Sequence, residues 1–268
     1  MEGKIGFIGC GRMARAIIEG MLSSEIVKPQ QIMASAATDD TLDQVAEKYG
    51  IKVTSDNKEV AERAKYLFLA VKPNLHQKVI EEIKLTVSEE TIVITMAAGV
   101  TLDFLRESFG ENVKGIRTMP NTPSLVREGM TVLSVNDNVT KDELEDTLVL
   151  LETFGKVEVV AERLMDAIPA ISGSSPAYVY MMIEAMADGG VSQGIPRDQA
   201  YKLAAQAVLG AAKMVLETGI HPGELKDQVC TPGGATIEAV ATLEKAGFRS
   251  AIIAAMDSCT EKSKDMKG

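Results

Sequence analysis

The stretch Lys4-Ile5-Gly6-Phe7-Ile8-Gly9-Cys10-Gly11-Arg12-Met13-Ala14 decides how the first half of the chain is read. An apolar strand pattern runs into G-x-G-x-x-A and then into a helical period. In that setting Gly9 makes the tight turn, Gly11 lets a pyrophosphate approach the backbone, and Ala14 permits close helix packing. The free amides and the dipole of the helix start attract the anion. A bare G-x-G-x-x-A arises by chance in many chains. At the end of a strand and the head of a βα series, it predicts a dinucleotide-binding turn.

Outward from that turn, short β-rich apolar runs alternate with charged segments of helical period, the pattern of βαβ units on a parallel sheet. The predicted strands are Lys4–Gly9, Gln31–Ser35, Tyr66–Val71, Thr91–Met96, Lys114–Met119, Met130–Val135 and Val157–Val160. Each is near the usual length of about five or six residues. Arg12–Leu22, Thr41–Tyr49, Lys58–Arg63, Leu75–Leu85, Leu102–Phe109 and Lys141–Phe154 are the predicted crossover helices, with Asp56 and Thr101 among the capping residues. After about residue 161 long Ala-rich and Met-rich helical stretches replace the strands. The predicted class is α/β: an N-terminal Rossmann-type dinucleotide-binding domain over residues 1–160, then an all-α C-terminal domain over 161–268. Ten consecutive uncharged residues separate Lys202 from Lys213, mostly Ala with Val208, Leu209 and Gly210. A helix apolar nearly all round should be buried on every side. One helical domain of this size does not achieve that alone, so the stretch predicts a dimer in which these helices meet.

Composition narrows the partners. With 46% hydrophobic and 25% charged residues, the 268-residue chain is of ordinary globular type. Lys plus Arg number 28 against Asp plus Glu 38, a net charge of −10, which repels phosphate backbones and anionic lipid. Nucleic acid and membrane surfaces are therefore not the expected partners. Cys10, Cys230 and Cys259 are widely spaced, and neither His76 nor His221 stands near a matching cysteine pair, so neither a disulfide framework nor a metal site is expected. The N-terminal pattern has no basic n-region or cleavage site, and no uncharged run reaches about 18 residues. A cytoplasmic protein is expected.

Three segments end predicted parallel strands, the edge at which open α/β sheets bind ligands: Ala70-Val71-Lys72-Pro73, Ala97-Ala98-Gly99 and Met119-Pro120-Asn121-Thr122-Pro123. Small residues there let a nicotinamide and its ribose lie against backbone, and proline fixes the loop. At the second strand end, where NAD-binding folds carry an acidic residue for the ribose, the chain reads Ser35-Ala36-Ala37-Thr38. Neither a carboxylate nor an arginine stands there, so NADP and NAD both stay open. In the helical half, Thr231-Pro232-Gly233-Gly234-Ala235-Thr236 precedes a helical run. Glycines before a helix expose unpaired amides that can hold a carboxylate, and the two threonine hydroxyls add donors. The chain has no nucleophile elbow, no H-E-x-x-H and no P-loop. Hydride transfer to an iminium carbon fits that set, because it needs orientation and a hydrogen bond to nitrogen more than a strong general acid.

Taken together, Gly-Phe-Ile-Gly-x-Gly at 6–11, Ala70 to Pro73, Ala97 to Gly99, Met119 to Pro123, Ser172 to Tyr178 and Leu225-Lys226-Asp227 through Thr236 resemble pyrroline-5-carboxylate reductase, in order over almost the whole chain. The resemblance implies NAD(P)H-dependent reduction of Δ1-pyrroline-5-carboxylate to L-proline, the last step of proline synthesis, by a homodimer that commonly assembles further into decamers. By matching motif, Ile8, Gly9, Cys10, Gly11, Arg12 and Met13 line the pyrophosphate, Ser35 and Ala36 the adenosine ribose or its phosphate, and Asn57 the adenosine side. Ala70, Val71, Lys72, Pro73, Ala97, Ala98 and Gly99 flank the nicotinamide half. The substrate carboxylate rests on Thr231 and the amides of Gly234, Ala235 and Thr236, with Asn121 also on the substrate side. The Thr236 hydroxyl, the implied catalytic group, is directed at the ring nitrogen. The family's Ser-Gly-Ser-Gly-Pro-Ala-Tyr reads Ser172-Gly173-Ser174-Ser175-Pro176-Ala177-Tyr178 here, and Ala36-Ala37 stands where many relatives carry Asn-Arg for a 2′-phosphate.

Two other readings differ in their expectations. A 3-hydroxyacid dehydrogenase of similar build needs a lysine and asparagine pair on an early helix of the second domain, and Ser174 to Asp188 contains neither. A non-catalytic nucleotide sensor on a Rossmann frame would be indifferent to Thr236→Val.

Overall fold

In the computed structural model, which describes residues 3–265, one eight-stranded sheet organises the first half. Its strands are β1 (Ile5–Ile8), β2 (Ile32–Ser35), β3 (Lys52–Thr54), β4 (Tyr66–Leu69), β5 (Ile92–Thr95), β6 (Lys114–Met119), β7 (Gly129–Val135) and β8 (Gly155–Val159), in the spatial order β3-β2-β1-β4-β5-β6-β7-β8. The helices between them are α1 (Arg12–Ser23), α2 (Asp39–Tyr49), α3 (Asn57–Arg63), α4 (His76–Ile83), α5 (Leu102–Phe109) and α6 (Lys141–Leu151). All pairings are parallel except β6 with β7. That exception departs from the all-parallel pattern read in the sequence. Its cause is the connection over 120–128, which holds only a 3₁₀ turn at Thr122–Val126 and is too short for a crossover.

The central parallel strands β1, β2, β4 and β5 are buried on both faces, so their side chains divide between two layers. Ile5 and Phe7 of β1 and Tyr66 and Phe68 of β4 join α1, α2 and α6 in one core, through Ile17, Ile18, Val45 and Leu150. Ile8, Leu67 and Leu69 join α3, α4 and α5 in the other, through Val60, Ile80 and Leu105. Caps set the helix starts: Asp56 accepts from Lys58 N–H, and Thr101 from Phe104 N–H. The chain leaves β1 for β2 on one side and returns to β4 on the other, a topological switch point at the carboxyl end of β1.

The chain forms two compact units, Met1–Ser174 with Cys259–Gly268, and Ser175–Ser258. Five helices make up its helical part: α7 (Ser175–Ser192), α8 (Arg197–Thr218), α9 (Pro222–Val229), α10 (Ala235–Lys245) and α11 (Phe248–Asp265). Helices α7 and α8 pack together, yet α8 buries only Ala200 and Ala204, and α9, α10 and α11 bury nothing. Within one chain the expectation that α8 is buried on every side therefore does not hold. Leu203, Leu209 and Leu216 are 60%, 55% and 82% exposed, because the unit supplies too few neighbours to cover them. Among the described residues no helix is long and apolar enough to cross a membrane.

Candidate active site

The first βα turn behaves as its glycines require. Gly9 has φ +97°, and a Cβ there would lie 2.7 Å from the Ala70 carbonyl oxygen, so only glycine fits. Its N–H is already used, donating to the Ser35 carbonyl at 3.0 Å. Gly11 is the N-cap of α1 at φ −69°, an ordinary conformation, and a Cβ there would meet nothing within 4 Å. Packing therefore does not demand a glycine at 11. The backbone at Gly11 is bare and open on that side. The N–H groups of Cys10 and Gly11 find no partner among the described residues, and those of Arg12 and Met13 belong to the unpaired first turn of α1. Open amides at a helix start are of the kind that suits an anion such as a pyrophosphate. The Arg15 guanidinium, a residue missed in the sequence, fixes the loop from beneath by donating to the Cys10 carbonyl at 3.0 Å. Burial pushes the Cys10 thiol up to about 11 against the opposing pull of Arg15, so the thiol stays protonated and inert.

Beside the turn lies a cleft of ≈ 530 Å³ between the ends of β1 and β2 and the start of α4, within the size range of small-molecule sites. Ile8, Gly9, Cys10, Gly11, Ser35, Ala36, Asn57 and Val71 line it, so eight of the residues assigned to the cofactor share one concavity. The Ser35 hydroxyl donates to Asn57 Oδ1 at 2.7 Å, and Asn57 Nδ2 donates to Glu82 Oε2 at 3.0 Å. This relay fixes the Asn57 amide in one orientation. Thr38, Thr41, Lys78 and Glu82 also line the cleft. Thr38 caps α2, Thr41 lies in its first turn, and Lys78 and Glu82 lie within α4, positions that read in the sequence as ordinary caps and solvated helix faces.

The loops at the ends of β4 and β5 continue along the same edge of the sheet. Lys72 and Pro73 are exposed, Ala70 and Val71 half-buried, Ala97 buried, and Gly99 turns the chain at φ +83°. Asn121 has another task. Its Oδ1 accepts from Met130 N–H at 2.8 Å and its Nδ2 donates to the Ser172 carbonyl at 2.9 Å. The side chain braces three stretches of backbone instead of standing free for a ligand.

In the helical unit, Thr231-Pro232-Gly233-Gly234 closes as a turn with Gly233 at φ +69° and Gly234 N–H donating to the Thr231 carbonyl at 3.0 Å. Proline and then a left-handed glycine at the centre are what a type II turn prefers. A Cβ at Gly234 would lie 2.3 Å from the Thr231 hydroxyl oxygen, so this glycine lets the threonine fold over the turn. The Gly234 amide is thus spent internally, whereas Ala235 and Thr236 occupy the unpaired first turn of α10. Thr231 and Ala235 are exposed and Thr236 half-buried, so this helix start is open.

Comparison with known proteins places the chain in a family. The family signature described as "Pyrroline-5-carboxylate reductase dimerisation" matches residues 162–266, and one described as "NADP oxidoreductase coenzyme F420-dependent" matches residues 4–99. A pyrroline-5-carboxylate reductase of Escherichia coli (strain K12) is 51% identical over 266 residues, 99% of either chain. The chain belongs to the pyrroline-5-carboxylate reductase family. The Arabidopsis thaliana relative is 39% identical over 98% of this chain and 95% of its own. Among solved structures, a pyrroline-5-carboxylate reductase from Coxiella burnetii superposes with a TM-score of 0.92 at 36% identity, covering 100% of both chains. A Plasmodium falciparum pyrroline carboxylate reductase with NADP bound superposes at 0.90 with 30% identity, covering 100% of this chain and 99% of that one.

The contrast between the two glycines gives a test. Gly11→Val should keep the wild-type melting temperature, since its side chain enters open space, yet weaken NADP(H) binding by roughly a hundredfold or more through lost charge-assisted bonds to phosphate. Isothermal titration checks this, and unchanged affinity would remove Gly11 from the cofactor site.

Proposed function

We propose that the protein reduces Δ1-pyrroline-5-carboxylate to L-proline, the last step of proline synthesis, with NADPH or NADH as the donor. The observation that carries the reading is the open start of α10, where unpaired amides and two threonine hydroxyls offer a carboxylate and a ring nitrogen their partners, in a chain of this family. When bound, the reduced nicotinamide would supply a hydride to the carbon of the protonated C=N, the atom that becomes C5 of proline, and the C=N π pair passes to the nitrogen, which keeps its proton.

The chain's own residues orient the reactants. Cys10, Gly11, Arg12 and Met13 hold the pyrophosphate by backbone N–H groups, with Ile8 and Gly9 shaping the turn. Ser35, Ala36 and Asn57 receive the adenosine end, and the strand-end loops at 70–73 and 97–99 flank the nicotinamide end. Ala235 and Thr236 amides and the Thr231 hydroxyl hold the substrate carboxylate, while Gly234 gives it close access. The Thr236 hydroxyl is directed at the ring nitrogen. Asn121 enters this reading only as a brace. The carbon attacked is already electrophilic, so orientation carries most of the rate, and such positioning accounts for large accelerations. The proposed functional parts are a dinucleotide-binding part over 1–160 and a dimerisation and substrate part over 161–268, although the compact units divide later, between Ser174 and Ser175, with 259–268 counted in the first. The cytoplasm, where reduced nicotinamide nucleotides are regenerated, is the compartment this chemistry calls for.

The working form is a homodimer, in which the exposed leucines of α8 meet a second copy; five such dimers would form the decamer common in the family. Sedimentation velocity at micromolar concentration should give a dimer or a multiple of it, and a stable monomer would contradict the assembly. Thr236→Val should lower kcat by about 1–3 kcal/mol in activation free energy, one hydrogen bond to nitrogen, while leaving the KM for cofactor unchanged. Wild-type turnover in this variant would remove Thr236 from its role. The absence of substrate-dependent NADPH or NADH oxidation in the wild type would overturn the reading itself.

A further inference from the structure

His76 is the first residue of α4, 1% exposed, and nothing in the mechanism above uses it. Its two ring nitrogens reach two different strand-end loops. Nδ1 lies 3.2 Å from the Lys72 carbonyl oxygen, and Nε2 lies 3.1 Å from the Thr95 hydroxyl. A carbonyl only accepts, so Nδ1 carries the proton and donates it, and Nε2 is left to accept from the Thr95 O–H. Thr95 Oγ1 in turn accepts from Ala97 N–H at 3.4 Å. The outcome is one directed chain, Ala97 N–H to Thr95 O–H to His76 to the Lys72 carbonyl. It joins the loop after β5 to the loop after β4 through a buried side chain.

We propose that His76 is a positioning residue for the nicotinamide end of the cofactor, its neutral ring holding the 70–73 and 97–99 loops in register with each other. The inference rests on the cofactor reading given above. Both loops leave neighbouring parallel strands, and each has a second attachment near the link. The Lys72 carbonyl also accepts from Leu75 N–H at 2.9 Å, and the Thr95 carbonyl accepts from the Thr118 hydroxyl at 2.9 Å. The first bond folds the loop after β4 on itself, and the second ties the end of β5 to β6. The imidazole is the polar link from one to the other. Burial lowers the His76 pKa from its usual value, outweighing the upward pull of the Lys72 carbonyl, so the ring keeps the neutral tautomer that the link requires. A protonated ring would turn Nε2 into a donor and leave the Thr95 hydroxyl proton without its acceptor.

The test compares His76→Leu, which fills the space without polar atoms, and Thr95→Val, which removes one hydroxyl and keeps the shape. Each is measured with NADPH and with adenosine 2′,5′-bisphosphate, a fragment that reaches only the adenosine end. Both variants should raise the KM and Kd for NADPH by about three- to tenfold, the worth of one buried hydrogen bond, with kcat at saturating cofactor little changed. The fragment should bind as in the wild type. The double variant should be no weaker than the worse single one, because both changes cut the same link. His76→Asn, which keeps a donor toward Lys72, should recover part of the affinity. Should His76→Leu fail to fold, Thr95→Val carries the measurement. Unchanged NADPH affinity in Thr95→Val, or an equal loss for NADPH and the fragment, overturns the proposal. A wild type that binds NADPH but does not turn over with pyrroline-5-carboxylate would instead refute the functional reading, and the binding comparison would still decide the role of His76.

Discussion

The unpaired amides at the start of α1 are the constraint around which the first unit is arranged. A polar N–H without a partner is tolerated only where water or a ligand completes it. Everything nearby keeps that position open. Gly9 bends the chain where any side chain would strike Ala70, Gly11 presents bare backbone, and Arg15 holds the loop by its carbonyl so that its amides face outward. The parallel order β2-β1-β4-β5 then brings the ends of four strands to one edge, so the turn, the Ser35–Asn57–Glu82 relay and the loops after β4 and β5 follow one another along it.

The helical unit answers a different constraint. Its helices carry apolar residues that one chain leaves in water, among them Tyr180, Met181, Leu203 and Leu216. Exposed apolar area on this scale marks a surface meant for another protein. At the start of α10 a proline and two glycines shape a turn that leaves Thr231 and Ala235 exposed and Thr236 half-buried.

Much of this was legible in the residues. The strand into G-x-G-x-x-A, the alternation of apolar runs with helical periods and the glycine turn before α10 are all local signals, and local signals survive in a sequence read alone. What escaped depends on pairing in space. The three-residue β3 is half-exposed and too short to show a pattern. The reversal of β7 is a consequence of loop length. Asn121 looked like a ligand residue by its place at a strand end, but its partners lie 9 and 51 positions away and hold it as a brace. Gly234 was expected to offer its amide, which the turn consumes. His76 and Arg15 gave no signal because each acts on a backbone carbonyl, and carbonyls are invisible to residue type.

Direct delivery of hydrogen from cofactor to imine is the centre of this account, and isotope transfer examines it most closely. The protein would be supplied with pyrroline-5-carboxylate and NADPH deuterated at the transferred position of nicotinamide C4, and the product analysed by mass spectrometry and NMR. The account predicts one deuterium per proline, at C5 and on a single face. Proline formed without the label, or with the label scrambled over both faces, would contradict it.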